Sequence, residues 1–196
     1  MNMQQKTANG IVLMPLETKL YADRKIFIQG EIDSTSAMEF VKQLLILSKE
    51  DKDSPIDILI NSPGGEINAG LIMYDMIQNC QTPLRMFCIG SAYSMAALIF
   101  ASGKKGSRFM LEHSELMLHE PLLGNHVSGN CTSLKNISEM LMDTRSNLNS
   151  ILSLHTGRTI EEISEATSYD HFYSADKAIE FGMADAVADF TTLMEV

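Results

Sequence analysis

The chain has 196 residues, 45% of them apolar and 20% charged, with a formal charge of −10 at neutral pH. That length suits one globular domain burying about two thirds of its unfolded surface, so a single domain over 1–196 is expected. The acidity argues against a nucleic-acid or anionic-membrane surface, which would need clustered Lys and Arg; no apolar stretch reaches membrane-span length and residues 1–25 lack a secretory pattern, so the expected location is the cytoplasm.

From residue 25 onward, strand and helix patterns alternate. Residues 25–29 read as a short strand stopped by Gly30, and Asp33, Ser34, Thr35 and Ser36 offer caps for a helix. Its apolar positions Phe40, Val41, Leu44, Leu45 and Leu47 follow helical spacing. Pro55 ends the connection to a second strand at 56–60; a helix at 66–78 and a third strand at 84–89 follow. A further helix at 94–101 stops near Gly103, and short strands are expected at 109–111 and 115–119. Repeated strand-helix-strand units with short links imply parallel strands joined by right-handed crossovers, an α/β fold.

Beyond these, Leu134, Ile137, Leu141, Thr144, Leu148 and Ile151 recur in steps of three and four. So narrow a stripe on a long helix packs against another chain or against its own subunit's core. Gly157 closes this helix, Thr159-Ile160-Glu161-Glu162 reads as a capping box for the next, and Ser174 caps a last short helix ending at Gly182. Cys80, Cys88 and Cys131 are odd in number and widely spaced, which fits reduced structural cysteines and offers no zinc pattern.

One stretch suggests chemistry. The apolar run through Cys88 and Ile89 breaks at Gly90, presents Ser94 and resumes as an Ala-rich helix. His119 ends a short apolar strand, and Asp170 follows later, so serine, base and carboxylate are available in that order. Acyl transfer at serine needs all three, because a free hydroxyl is almost never ionised at neutral pH. Spacing alone leaves rivals: Ser62 and Ser91 as hydroxyls, and His113, His126, His155 and His171 as bases.

Six blocks decide among them. Ile60-Asn61-Ser62-Pro63-Gly64-Gly65, Ala69-Gly70-Leu71-Ile72-Met73-Tyr74-Asp75-Met76, Cys88-Ile89-Gly90 leading to Ser94-Met95, Leu118-His119-Glu120-Pro121-Leu122, His155-Thr156-Gly157 and Phe172-Tyr173-Ser174-Ala175 occur in one order. Together they resemble the proteolytic subunit (ClpP) family of the ATP-dependent Clp protease. The resemblance implies a ClpP/crotonase-like fold of repeated β-α-β units, with a protruding handle region at about 122–156 and an N-terminal axial segment at 1–24. It implies Ser94 as nucleophile, His119 as base and Asp170 as its orienting acid, with the amides of Gly65 and Met95 as oxyanion donors. It implies no metal and no organic cofactor; ATP would be used by a partner AAA+ unfoldase, since the chain has no Gly-x-x-x-x-Gly-Lys phosphate loop. Expected partners are further copies in stacked seven-membered rings and unfolded polypeptide substrates.

Several positions depart from the family pattern. Asp57 and Leu59 stand where many relatives place tyrosines of the ATPase-docking pocket, and a carboxylate in an apolar pocket is costly unless paired. Ser168-Tyr169 replaces an Asp-Arg pair that bridges rings in many relatives, and His171 replaces the usual neighbour of the acid. The segment at 16–24 looks shorter than the family's axial loop, and the stretch between His119 and His155 is slightly longer. These departures point to a diverged paralogue, and they leave two alternatives: a catalytically weak ring subunit assembling with a second paralogue, and a crotonase-like acyl-CoA enzyme.

Overall fold

The computed structural model describes residues 1–7, 10–124 and 128–194. Its first elements form a hairpin, β1 (Asn2–Thr7) with β2 (Gly10–Pro15), followed by α1 (Leu16–Ala22). The expected N-terminal axial segment thus carries a hairpin and a short helix. Ile11, Val12 and Leu13 are exposed on this hairpin, and none of its described residues belongs to the buried core.

The central sheet begins with β3 (Lys25–Ile32), β4 (Ile56–Gly65) and β5 (Leu84–Tyr93), which pair in parallel in that order. Their crossovers are α2 (Ser34–Glu50) and α3 (Ile67–Asn79). Asp33 caps α2 through the Ser36 amide, with the Ser36 hydroxyl returning to the Asp33 backbone, so two orphan amides at the helix start are satisfied. Alternation along the strands sorts the two faces. Ile56, Ile58 and Ile60 join Phe40, Leu44, Leu47, Met73 and Ile77 in the main core, while Leu59 and Phe87 pack on the other face with Ala188.

Then β5 forks. Met86 to Cys88 pair with β6 (Arg108–Leu111), whereas Ser91 to Tyr93 pair with β7 (Glu115–Leu118). Between them α4 (Met95–Ala101), buried at every residue, plugs the interior. On the far side β7 takes the antiparallel β8 (His171–Ser174), and β6 takes the parallel β9 (Ala186–Ala188). The fork is locked by Arg108, 1% exposed, whose guanidinium bonds both Asp185 oxygens and the carbonyls of Ala101 and His155. Burial opposes ionisation of Asp185, but the bonds and charge of Arg108 outweigh it and hold the carboxyl below its ordinary pKa.

The long helix α5 (Cys131–Thr156) starts at Asn130, whose side chain accepts from the Ser133 amide, so it begins a turn earlier than its apolar stripe. It ends at Gly157, left-handed at φ 77°. Its only buried residues are Asn149 and Leu152, and Leu148 and Ile151 pack on the core, all near the C-terminal end. The preceding turns project from the body with Leu134, Met140 and Met142 exposed. Short helices α6 (Ile160–Ala166), α7 (Ala175–Phe181) and α8 (Phe190–Met194) complete the chain.

Candidate active site

Ser94 closes β5 and opens α4 with φ 55° and ψ −121°, a conformation rarely tolerated by a residue with a side chain. Strain of this kind persists only where the surroundings over-determine it. Here the Ser94 amide donates to the Met117 carbonyl at 2.8 Å, and the Ser94 carbonyl accepts the first helical bonds from Ala97 and Leu98. On the opposite side lies Gly64: a Cβ there would sit 2.6 Å from the Tyr93 carbonyl oxygen and 2.9 Å from Ser94 Cβ. Gly65 is equally confined, since its Cβ would fall 2.1 Å from the Ile32 carbonyl oxygen. Backbone approach this close requires glycine at both places.

Three register pairs bring the chemistry together. Tyr93 pairs with Met117 and Met117 with Phe172, so the ends of β5, β7 and β8 lie side by side. Ser94 follows Tyr93, His119 follows the Leu118–His171 pair, and Asp170 precedes it. The result is a Ser94 Oγ to His119 Nε2 distance of 2.7 Å and a His119 Nδ1 to Asp170 Oδ1 distance of 3.7 Å. The first is a short hydrogen bond; the second is an ion-pair distance, longer than a direct hydrogen bond. His119 has 16% of its side chain exposed and Asp170 has 65%.

The rival groups have other occupations. The Ser62 hydroxyl donates to the Gly30 carbonyl at 2.6 Å and accepts from the Gly64 amide at 3.1 Å, which fixes the glycine loop beneath Ser94. Ser91 faces the Asn61 side chain through both its amide and its hydroxyl. His155 lies 3.2 Å from the Tyr74 hydroxyl, and burial, then the Arg108 charge, lowers its pKa. His171 stacks between Tyr169 and Tyr173, and His113 is exposed between β6 and β7. His126 lies outside the described residues. Among those described, His119 is the histidine bonded to Ser94.

A cleft of about 850 Å³ opens onto Ser94 and His119. Gly65 and Met95 line it, as do Leu98, Met117, Leu141, Leu148 and Leu152. Polar Asn149 and Thr167 line it too, both buried, with the Thr167 hydroxyl 3.4 Å from Asn149 Oδ1. The apolar stripe of α5 thus meets this cleft over Leu141, Thr144 and Leu148. Sequence reasoning passed over Asn149, Thr167 and Gly64. Asn149, next to Leu148 on the buried end of an otherwise apolar seam, was the available signal.

The sequence model of the Clp protease family matches residues 9–191, nearly the whole chain. The chain belongs to the Clp protease family. Its mixed α/β architecture, with a mostly parallel sheet and a projecting α5, is that of the Clp protease fold. Family membership makes it a Clp-type peptidase chain. No helix among the described residues is long and apolar enough to cross a membrane.

Proposed function

We propose that this chain is a serine endopeptidase subunit that cleaves unfolded polypeptide. The observation that carries the reading is the 2.7 Å contact of His119 Nε2 with Ser94 Oγ at a strained strand-to-helix turn. In the proposed cycle Ser94 Oγ attacks the scissile carbonyl as its proton passes to His119 Nε2. The Gly65 and Met95 amides, from residues that line the cleft beside Ser94, receive the developing oxyanion. Collapse breaks the C–N bond, His119 returns the proton to the departing amine, and the acyl group stays on Ser94. Water, deprotonated by His119, then attacks the acyl carbon; the bond to Ser94 Oγ breaks, Oγ takes the proton back from His119, and the new carboxyl end of the peptide leaves. No metal or organic cofactor enters these steps.

The exposed N-terminal half of α5 and the family likeness support assembly into stacked seven-membered rings in the cytoplasm, fed by an AAA+ unfoldase that spends the ATP. Sedimentation of the purified protein beside hydrolysis of a short fluorogenic peptide tests the reading: a large ring that hydrolyses peptide supports it, and a well-formed ring that is inert overturns it. Leu134→Glu should drop the mass to sub-ring species, because a charge at an apolar seam loses its hydration without gaining a partner. Unchanged sedimentation would place Leu134 in solvent.

A second reading, a ring subunit weakly active alone and completed by a paralogue, is favoured by the exposure of Asp170 and its 3.7 Å separation from His119. Under the main reading Asp170→Asn lowers kcat by about tenfold to a hundredfold. That is less than the ~10⁴-fold loss at a buried triad aspartate, because water already screens this carboxylate. A loss under threefold in assembled protein would assign the orienting role to another group.

A further inference from the structure

Tyr93 immediately precedes Ser94, its successive register partners Met117 and Phe172 lie two residues from His119 and Asp170, and its side chain reaches two strands at once. Its hydroxyl donates to Glu115 Oε1 on β7 at 2.8 Å, and its ring meets Phe172 on β8 edge-on, with centroids 5.8 Å apart and planes at 89°. The middle member of the row, Met117, pairs with both Tyr93 and Phe172 through the backbone and also receives the Ser94 amide. One side chain therefore connects the strand that ends at Ser94, the strand that leads to His119 and the strand that Asp170 precedes.

This matters because the three ends are unequally held. Ser94 is fixed by Met117, by the start of α4 and by Gly64 beneath it. Asp170 is largely exposed and approaches His119 at 3.7 Å. β8 is a four-residue edge strand whose ladder partner is β7. The edge-on aromatic pair acts on β8 itself, while the hydrogen bond to the Glu115 carboxylate ties β5 to β7, the strand on which β8 pairs. We infer that Tyr93 is a positioning residue, setting the lateral distance between β5, β7 and β8 so that Asp170 stays within reach of His119 while His119 faces Ser94. The inference rests on the peptidase reading for its consequence in rate, but its geometric content stands apart from that reading.

Two variants separate the contacts. Tyr93→Phe removes the bond to Glu115 and keeps the ring against Phe172; Tyr93→Ala removes both. In protein shown by sedimentation and circular dichroism to be folded and assembled as the parent is, Tyr93→Ala should lower kcat for a short fluorogenic peptide tenfold to a hundredfold with KM within twofold. Losses of about this size follow ångström-scale misplacement of reacting groups. Fluorophosphonate labelling of Ser94 should slow in proportion, and Tyr93→Phe should fall between parent and Tyr93→Ala. Phe172→Ala, which removes only the ring contact, should cost less than Tyr93→Ala, and the double variant should be no worse than Tyr93→Ala, since the two changes share that contact. A rise in KM at unchanged kcat would make Tyr93 a substrate contact, and unaltered kinetics in both variants would also overturn the inference. Crystal structures of parent and Tyr93→Ala give the readout that needs no activity: Asp170 should withdraw from His119 in the variant. An inert parent would refute the peptidase reading, whereas an unmoved Asp170 would refute the role of Tyr93.

Discussion

Ser94→Ala should abolish peptide hydrolysis and fluorophosphonate labelling, with a loss on the order of 10⁴- to 10⁶-fold in kcat. The residue lost is the one whose oxygen lies 2.7 Å from His119 Nε2, and none of the neighbouring hydroxyls offers a substitute. Ser62 is buried and committed to the Gly30 carbonyl and the Gly64 amide, so it supports the glycine loop. Ser91 lies on the Asn61 side chain, on the strand that precedes the turn, and Ser91→Ala should keep both hydrolysis and labelling. Active-site labelling followed by peptide mapping checks this directly. Labelling that survives Ser94→Ala and disappears in Ser91→Ala would move the nucleophile to Ser91. Alanine at 94 also inherits φ 55°, unfavourable for any residue with a Cβ, so the variant's fold should be compared with the parent's before its inactivity is read as chemistry.

Most strands and helices between Lys25 and Gly182 were legible because they carry a local signal: alternation or continuous apolar runs in β3 to β5, Asp33 and Thr159 capping boxes, and a left-handed glycine after α5 and α7. The strands run further than their apolar cores, since β4 continues through Asn61 to Gly65 and β5 through Gly90 to Tyr93 by pairing that composition does not reveal. The N-terminal hairpin was illegible for a related reason. β1, Asn-Met-Gln-Gln-Lys-Thr, has no apolar face, and β2 places its apolar residues in solvent. β8 and β9 are too short for periodicity and exist through their partners β7 and β6. At the site, sequence pattern and family resemblance led to Ser94, His119, Asp170, Gly65 and Met95. The exposure of Asp170, the close contact of Gly64 with Ser94 and the reach of Tyr93 to Glu115 and Phe172 belong to the register of three strands and had no local trace.

Asp57→Leu should destabilise the fold by about 3 kcal/mol, because it deletes the anion from a buried row of charges. Asp57, 3% exposed, meets the condition under which a carboxylate is tolerated in an apolar face, since it is paired with Lys25 and Arg85. Register places Lys25, Asp57 and Arg85 directly opposite one another on three parallel strands, so cross-strand contact is built in. Lys25 Nζ lies 2.7 Å from Asp57 Oδ2, and Arg85 grips the carboxylate with Nε at 2.6 Å and Nη2 at 2.9 Å. The next row on that face, Phe27, Leu59, Phe87 and Phe109, is apolar, with Phe87 and Phe109 stacked at 5.1 Å. Leucine at 57 would join this apolar surface but leave two cations facing each other across one strand. The loss should stay near the lower end for a broken buried pair, since Lys25 keeps its bond to the Leu193 carbonyl and Arg85 keeps its place over the Phe87 ring. Urea denaturation at fixed protein concentration measures it, and the triple change Lys25→Met, Asp57→Leu and Arg85→Met should recover much of the loss by removing both cations along with the anion. A single variant as stable as the parent would mean that water or neighbouring groups compensate the two cations. The same pairing bears on unfoldase docking under the proposed function. Tyrosine at 57 would disrupt the charge row at the same time as it adds an aromatic, so an added docking anchor belongs at Leu59, whose cross-strand neighbours are already Phe27 and Phe87. Leu59→Tyr should then raise unfoldase-dependent degradation of a folded substrate with short-peptide hydrolysis unchanged, and an equal change in both would place its effect on the fold instead of on docking.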